Sequence, residues 1–299
     1  MKSLSSRPAL LAILAMIFVE MIWGATFIIV QEALRDASTL LFLALRFTLA
    51  AVALAAAFAG RYSTFPAVRR SMAAGAFAGV ALFSGYFFQT AGLRYTSAPK
   101  SAFITSLAVV TVPLLAALVY RSVPGAAEGI GVVLATAGLA LLTLPESGLG
   151  VGLGDLLTVV CAISFAAHIV IVGHYSANCS FQVMSLTQIC TAALIAGGSF
   201  WWAERPHIRW TPRLLIALVV TGVLATALGF AVQTWAQKHL SPTRTGLILM
   251  LEPVFAWVTS YLVAGESLSS RGMAGAFLIL GGILLAELKP SQLARHPSQ

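Results

Sequence analysis

Charge is what this chain of 299 residues has least of: Asp, Glu, Lys and Arg make up 9% of it, against 59% hydrophobic residues. A soluble domain carries about 25% charged residues. So little charge excludes a water-exposed surface, and a mean hydropathy of +0.92 places the chain in a bilayer. Acids are fewer than bases, 10 against 18. In a soluble protein that excess would suggest nucleic acid, but here Lys and Arg stand mostly at the ends of apolar runs. They read as topology signals, and no nucleic-acid partner is expected. Cysteine is down to Cys161, Cys179 and Cys190, an odd number in or beside apolar segments, with no CxxC and no His at ligand spacing. That excludes a disulfide framework and a metal site. No cofactor is expected either. The chain also lacks HxxxH, an Asp-rich cluster and a Ser near a His at readable spacing. These absences argue against an enzyme acting on lipid, and the absence of a filter loop or charged ring argues against a channel.

What is present is ten apolar runs, at about 8–30, 38–59, 71–92, 99–120, 125–144, 153–173, 180–202, 213–236, 243–263 and 270–288. Each is about 20 residues, enough at ~1.5 Å per residue to cross a ~30 Å hydrocarbon core. Barrel strands would alternate polar and apolar over ~10 residues, whereas these runs are continuously apolar. An all-α polytopic membrane protein with ten transmembrane helices is the expected fold. The first run follows Lys2 and Arg7 but is long, carries Glu20 and Trp23, and ends in no small-residue cleavage pattern, so it reads as a span rather than a cleaved signal. With the N-terminus inside, ten Lys and Arg fall in the inner loops and seven in the outer ones. Both termini are therefore expected in the cytoplasm of a bacterial inner-membrane protein.

The chain repeats itself. Shifted by 144 positions, Gln89-Thr90 falls on Gln233-Thr234, Ser97 on Ser241, Leu107 on Leu251, and Gly131 and Gly138 on Gly275 and Gly282. With an offset of 142, Trp23 falls on Phe165, Thr26 on His168 and Arg46 on Gln188. Halves of 1–145 and 156–299 then flank a Gly-rich connector at 146–155. Five spans per half force the second copy to enter the membrane upside down, which predicts two inverted-topology repeats around a central cavity.

Trp23-Gly24, Arg46-Phe47, the Leu251–Pro253 Leu-Glu-Pro, Gly265-Glu266, and Gly275 with Gly281-Gly282 resemble the EamA family of the drug/metabolite transporter superfamily. The resemblance covers nearly the whole chain, through the order and spacing of motifs that are individually weak. The first half departs from the pattern: Arg121-Ser122 stands where the second has Gly265-Glu266, and Val109 where it has Pro253. The pattern is most similar to the YddG type of amino-acid exporter. This resemblance implies export of aromatic and other amino acids, or of similar small amphipathic metabolites, by alternating access. An importer or exchanger of another metabolite class stays open.

The residues themselves nominate a site. Arg46 is the one Lys or Arg well inside a span, at a cost of about 2.5–3.5 kcal/mol near a helix centre, so it needs a partner or water. Glu20 comes out at a similar depth, so the two could pair. The pair is either a buried bridge between two helices or a cavity site for a substrate's carboxylate or amine. Gln89 and Gln233 are repeat-related, and on helical spacing each shares a face with a ring, Tyr86 and Phe230 respectively. Interhelical hydrogen bonding would explain the amides alone; ring and amide together, twice, suit an amphipathic substrate. His168 is either a satisfied core histidine or a proton-coupled group. Pro253 predicts a kink, with Glu252 either bonded into the broken ladder or carrying a proton, and Pro113 predicts a kink in the fourth span. The expected substrate contacts are thus Glu20, Trp23, Arg46, Tyr86, Gln89, His168, Phe230, Gln233 and Trp257. Pro113 and Pro253 are the expected hinges, and His168 and Glu252 the candidates for proton coupling. Trp201, Trp202, Trp210 and Tyr62 near span ends read as interfacial anchors. The glycines of the fifth and tenth spans read as close-packing sites between those helices or in a dimer. The expected partners are a small-molecule substrate and the lipid bilayer, with a monomer expected over a homodimer because one chain already holds both halves of a path.

Overall fold

The computed structural model describes residues 7–60, 65–96, 98–121, 125–143, 152–264 and 269–288. Most of the expected connector, together with Gly265-Glu266 and Tyr62, lies outside the described residues. In chain order the helices are α1 (Arg7–Ala33), α2 (Thr39–Ala57), α3 (Phe65–Gly92), α4 (Ala98–Ser106), α5 (Ala108–Tyr120), α6 (Ala126–Thr143), α7 (Leu153–Ser176), α8 (Phe181–Ala203), α9 (Pro212–Val219), a π-helical stretch (Val220–Leu228), α10 (Gly229–Ala236), α11 (Pro242–Leu249), α12 (Leu251–Ala264) and α13 (Ser270–Leu288). α4 with α5, α9 through α10, and α11 with α12 each complete one span, which makes ten. In lipid, helices meet every backbone hydrogen-bonding need internally. The starts are signalled in the sequence: Thr211-Pro212 and Ser241-Pro242 place a capping hydroxyl before a proline in the first turn, where the missing N–H costs nothing.

The two repeats are interleaved rather than side by side. α3 packs on α7 and α8; their counterparts repeat the arrangement, α10 on α1 and the π stretch on α2. α5 against α7 matches α12 against α1, and α6 meets its own counterpart, α13. Each half thus buries its surfaces on the other, as an isologous pair does. The glycines show why the helices approach so closely. A Cβ at Gly138 would lie 2.5 Å from the Gly275 carbonyl oxygen, and one at Gly131 would lie 2.6 Å from that of Gly282. Of the two readings of these residues, they meet each other. A second exchange is made with rings: Gly85 receives Phe165, and its counterpart Gly229 receives Trp23, at 2.7 and 2.9 Å from the would-be Cβ. Outside, large apolar side chains face lipid; Phe77, Leu118, Leu194 and Phe277 are exposed, as are Trp201, Trp202 and Trp210.

The fourth and ninth spans are both broken, but not at their prolines. The breaks fall at Leu107 and Met250, six and three residues before Pro113 and Pro253. Each is closed by a short three-residue bond, Leu107 N–H to Ile104 O and Met250 N–H to Leu247 O. Proline displaces the carbonyl one turn earlier, which accounts directly for Met250; at Leu107 the Ser106 hydroxyl adds to the bend by bonding back to Ala102 O at 2.8 Å.

One end of the bundle is tied across the repeats. The loop after α1 pairs with the loop after α8 through an Ala37–Ile208 bridge. Asp36 accepts from Thr211 Oγ1 at 2.7 Å and from Arg213 Nη2 at 2.8 Å. Those bonds hold its carboxyl below the usual carboxylate range, Thr211 foremost and Arg213 next. Glu204 caps α2, accepting from the Leu40 and Leu41 N–H groups.

Candidate functional site

The interleaving leaves a cleft between the halves with about 780 Å³ of empty space, its mouth included. Both repeats line it: Trp23, Arg46, Tyr86, Gln89, Thr105 and Val109 from the first, Phe165, His168, Phe230, Gln233, Leu249 and Glu252 from the second. Both helix breaks border it, through Ser106 and Ala108 on one side and Leu249 on the other.

Arg46 dominates the polar wall. It is 2% exposed, donates from Nε to Thr226 Oγ1 at 2.8 Å and from Nη2 to Tyr86 OH at 3.0 Å, and holds its guanidinium carbon 4.3 Å from the Tyr86 ring centre. Two polar partners and an aromatic face stabilise a cation at this depth without an acid. Nη1 makes no hydrogen bond among the described residues, and the side chain borders the cleft. Of the alternatives left open for Glu20 and Arg46, a pair between them is not formed. Arg46 is drawn toward the second repeat by Thr226, while Glu20 lies on the face of α1 that carries Gly24, whose Cα presses on the Glu252–Ala256 backbone of α12. Glu20 is fully buried, outside the cleft lining, and is an electrostatic neighbour of Glu252.

Around Arg46 the rings form one cluster. Tyr86 meets Phe47, Phe165 and Phe230 edge-on with centres 5.3–5.8 Å apart, and Trp23 lies 5.2 Å from Phe230. Trp23 Nε1 donates to Ala225 O at 2.7 Å, inside the π stretch. Short π segments recur at functional sites because they redirect carbonyls and side chains; here the segment supplies both Ala225 O and Thr226. Nothing in the apolar run Val220–Leu228 announces it. The repeat does hold one trace: its offset changes from 142 to 144 between Gln188 and Gly229, the interval containing the π stretch.

His168 lies at the head of a hydrogen-bonded chain: Nε2 to Gln188 Oε1 at 2.7 Å, Gln188 Nε2 to Thr234 Oγ1 at 3.0 Å, and Thr234 Oγ1 to Phe230 O at 2.7 Å. These bonds make it a satisfied histidine, and it also borders the cleft. Gln188, fully buried behind it, is missing from the expected contacts although the repeat aligns it with Arg46. Gln89 and Gln233 line the cleft and make long bonds of 3.4 Å, to Thr105 and Gln237, which leaves their amides free to exchange partners. Trp257 does not line the cleft; its ring covers Gly272 on α13, because one turn beyond Pro253 the helix has rotated that face away. Pro113 and Pro253 stand beyond the breaks and do not line the cleft.

The sequence profile of the EamA-like transporter family matches twice, over residues 10–144 and 152–288. An uncharacterized transporter of Archaeoglobus fulgidus is 33% identical over 280 residues, 94% of this chain and 87% of that one. The uncharacterized transporter YoaV of Bacillus subtilis is 23% identical over 290 residues, 91% and 95% of the two chains. A solved crystal structure superimposes with a TM-score of 0.75 at 18% identity over 93% of this chain and 96% of its own, a likeness of fold.

Proposed function

The chain belongs to the EamA-like transporter family, and from that premise we propose that it exports amino acids, aromatic ones among them, or similar small amphipathic metabolites across a bacterial inner membrane. The observation that carries the reading is Arg46: a buried cation without an acid partner among the described residues, on the wall of a cleft that also carries the rings of Trp23, Tyr86, Phe165 and Phe230. A substrate carboxylate at Nη1 forms a charge-assisted bond in a low-dielectric site. Its apolar part stacks among Trp23, Phe165 and Phe230, and Gln89 or Gln233 takes its amine.

Alternating access follows from the paired breaks. Bending at Leu107 opens the cleft to one side and bending at Met250 to the other, because inverted repeats carry the same break in opposite directions. The monomer holds both, with both termini on the cytoplasmic side. The test is counterflow in proteoliposomes with a panel of radiolabelled amino acids. L-phenylalanine is expected to exchange in the wild type, and a panel in which no amino acid moves overturns the substrate class.

A further inference from the structure

Two acids, the buried Glu20 and the half-buried Glu252, remain unused once Arg46 is assigned to the substrate. Both Glu20 carboxyl oxygens are buried and have no hydrogen-bond partner among the described residues. Glu252 borders the cleft directly after the Met250 break and makes no hydrogen bond among the described residues. Their helices are in backbone contact, since a Cβ at Gly24, one turn from Glu20, would lie 2.6 Å from Glu252 O and 2.8 Å from Ala256 N.

The cations on neighbouring elements are turned elsewhere. On α4, Lys100 is bonded to Asp155 at 2.6 Å; on α9, Arg213 is bonded to Asp36 and Glu32; Arg244 on α11 senses Glu128 on α6; Arg271 stands at the start of α13. Across the cleft, Tyr86 on α3 and Cys161 on α7 are the titratable groups that sense Glu252, and His168 bonds to Gln188. An unpaired carboxylate in such surroundings costs several kcal/mol, and two side by side cost more.

We infer that Glu20 and Glu252 form a proton-carrying pair that spans the two repeats, with Glu252 exchanging the proton with the cleft and Glu20 behind it keeping the pair from holding two negative charges. Glu252 takes a proton from cleft water as its carboxylate becomes the acid, and returns it to water when the cleft opens on the other side. The bond broken and the bond formed are both O–H, so no other reactant is needed. Glu252 begins the segment that follows the Met250 break, so the occupancy of the pair and the bend of that helix change together. Coupling to substrate rests on the transport reading above; the existence of the pair does not.

The experiment therefore has two arms. Infrared spectra of the wild type in liposomes, titrated between about pH 5 and 10, are expected to show a protonated-carboxyl band at neutral pH that Glu20→Gln/Glu252→Gln removes and sodium leaves unchanged. Because the two sites interact, each single Gln variant is expected to displace the titration of the remaining acid by about one pH unit or more. Glu252→Asp, which keeps the carboxyl, is expected to displace that of Glu20 as well and stands in for any Gln variant that does not fold. A band unaltered in the double variant, or single variants that leave each other's titration in place, overturns the pair. In the second arm, proteoliposomes with an L-phenylalanine gradient and a pH-sensitive dye are expected to show proton flux that Glu252→Gln abolishes. Phenylalanine flux without proton flux overturns coupling. If phenylalanine does not move, the substrate reading falls and the infrared titration alone decides the pair.

Discussion

Arg46 on α2 and Gln188 on α8 occupy equivalent places in the two repeats, and both are held by threonines of the eighth span, Thr226 and Thr234 respectively. Beyond that the two centres diverge. Arg46 adds Tyr86 and a face open to the cleft; Gln188 adds His168 and is sealed behind it. Tyr86 itself aligns with Phe230, and Glu252 with Ala108. The glycines did not diverge in this way, since Gly85 and Gly229 still admit rings from the opposite repeat. Duplication has kept the frame in both copies and let the chemistry drift, so that one copy supplies the cation and the other the neutral hydrogen-bonded chain and the cleft-lining acid.

Replacing the cation should break the comparison most visibly. Arg46→Gln makes the first centre resemble the second, and a hydrogen bond to a charged group is worth about 1.5–3 kcal/mol. Counterflow at low substrate should therefore fall about tenfold to a hundredfold, while Gln188→Ala should lower the melting temperature with a smaller loss of transport.

The shared frame is tested by Gly85→Ala and Gly229→Ala. Overlap costs about 1–3 kcal/mol and exceeds the ~1 kcal/mol that alanine gains over glycine in a helix. Both variants should melt earlier by similar amounts, and Gly229→Ala should also shift tryptophan fluorescence because it displaces Trp23. Unequal melting would mean that the two exchanges are not equivalent. Thr226→Val removes a bond to the charged Arg46, worth about 1.5–3 kcal/mol, and Thr234→Val removes a neutral one, worth about 0.5–1.5 kcal/mol. The first should raise the KM for substrate through Arg46 and the second should change stability with little effect on KM.

The smallest effect belongs to the tied end. Asp36 has its carboxyl lowered by Thr211 and Arg213, so its contribution is fully present above the unfolded value near 4 and is lost as pH falls through the lower folded value. The melting difference between wild type and Asp36→Asn should be constant from neutral pH down to about 4 and close below it.

The ten spans were legible because a bilayer leaves a chain few options, and the expected ends agree with the helices to within a few residues over most of the chain. The repeat was legible through Gly131, Gly138, Gln89 and their counterparts, and seven of the nine expected contacts, Trp23, Arg46, Tyr86, Gln89, His168, Phe230 and Gln233, line the cleft. Depth alone misled at Glu20, since two residues at one height on neighbouring helices can face opposite ways. The prolines identified the broken spans but not the break points, because a proline disturbs the turn before it rather than its own position. Thr226 and the π stretch were hidden since a π turn uses the same apolar residues as an α turn.

The interleaving of the halves also governs how the protein can be made. Synthesis delivers α1 to α6 first, yet the surfaces of these helices await α7, α8, α10, α12 and α13. The Gly131 and Gly138 face of α6 finds its partner only when the last helix enters the membrane. The early half must therefore wait in lipid unassembled, and truncation before α13 removes the closing contact of both repeats rather than one span of one of them.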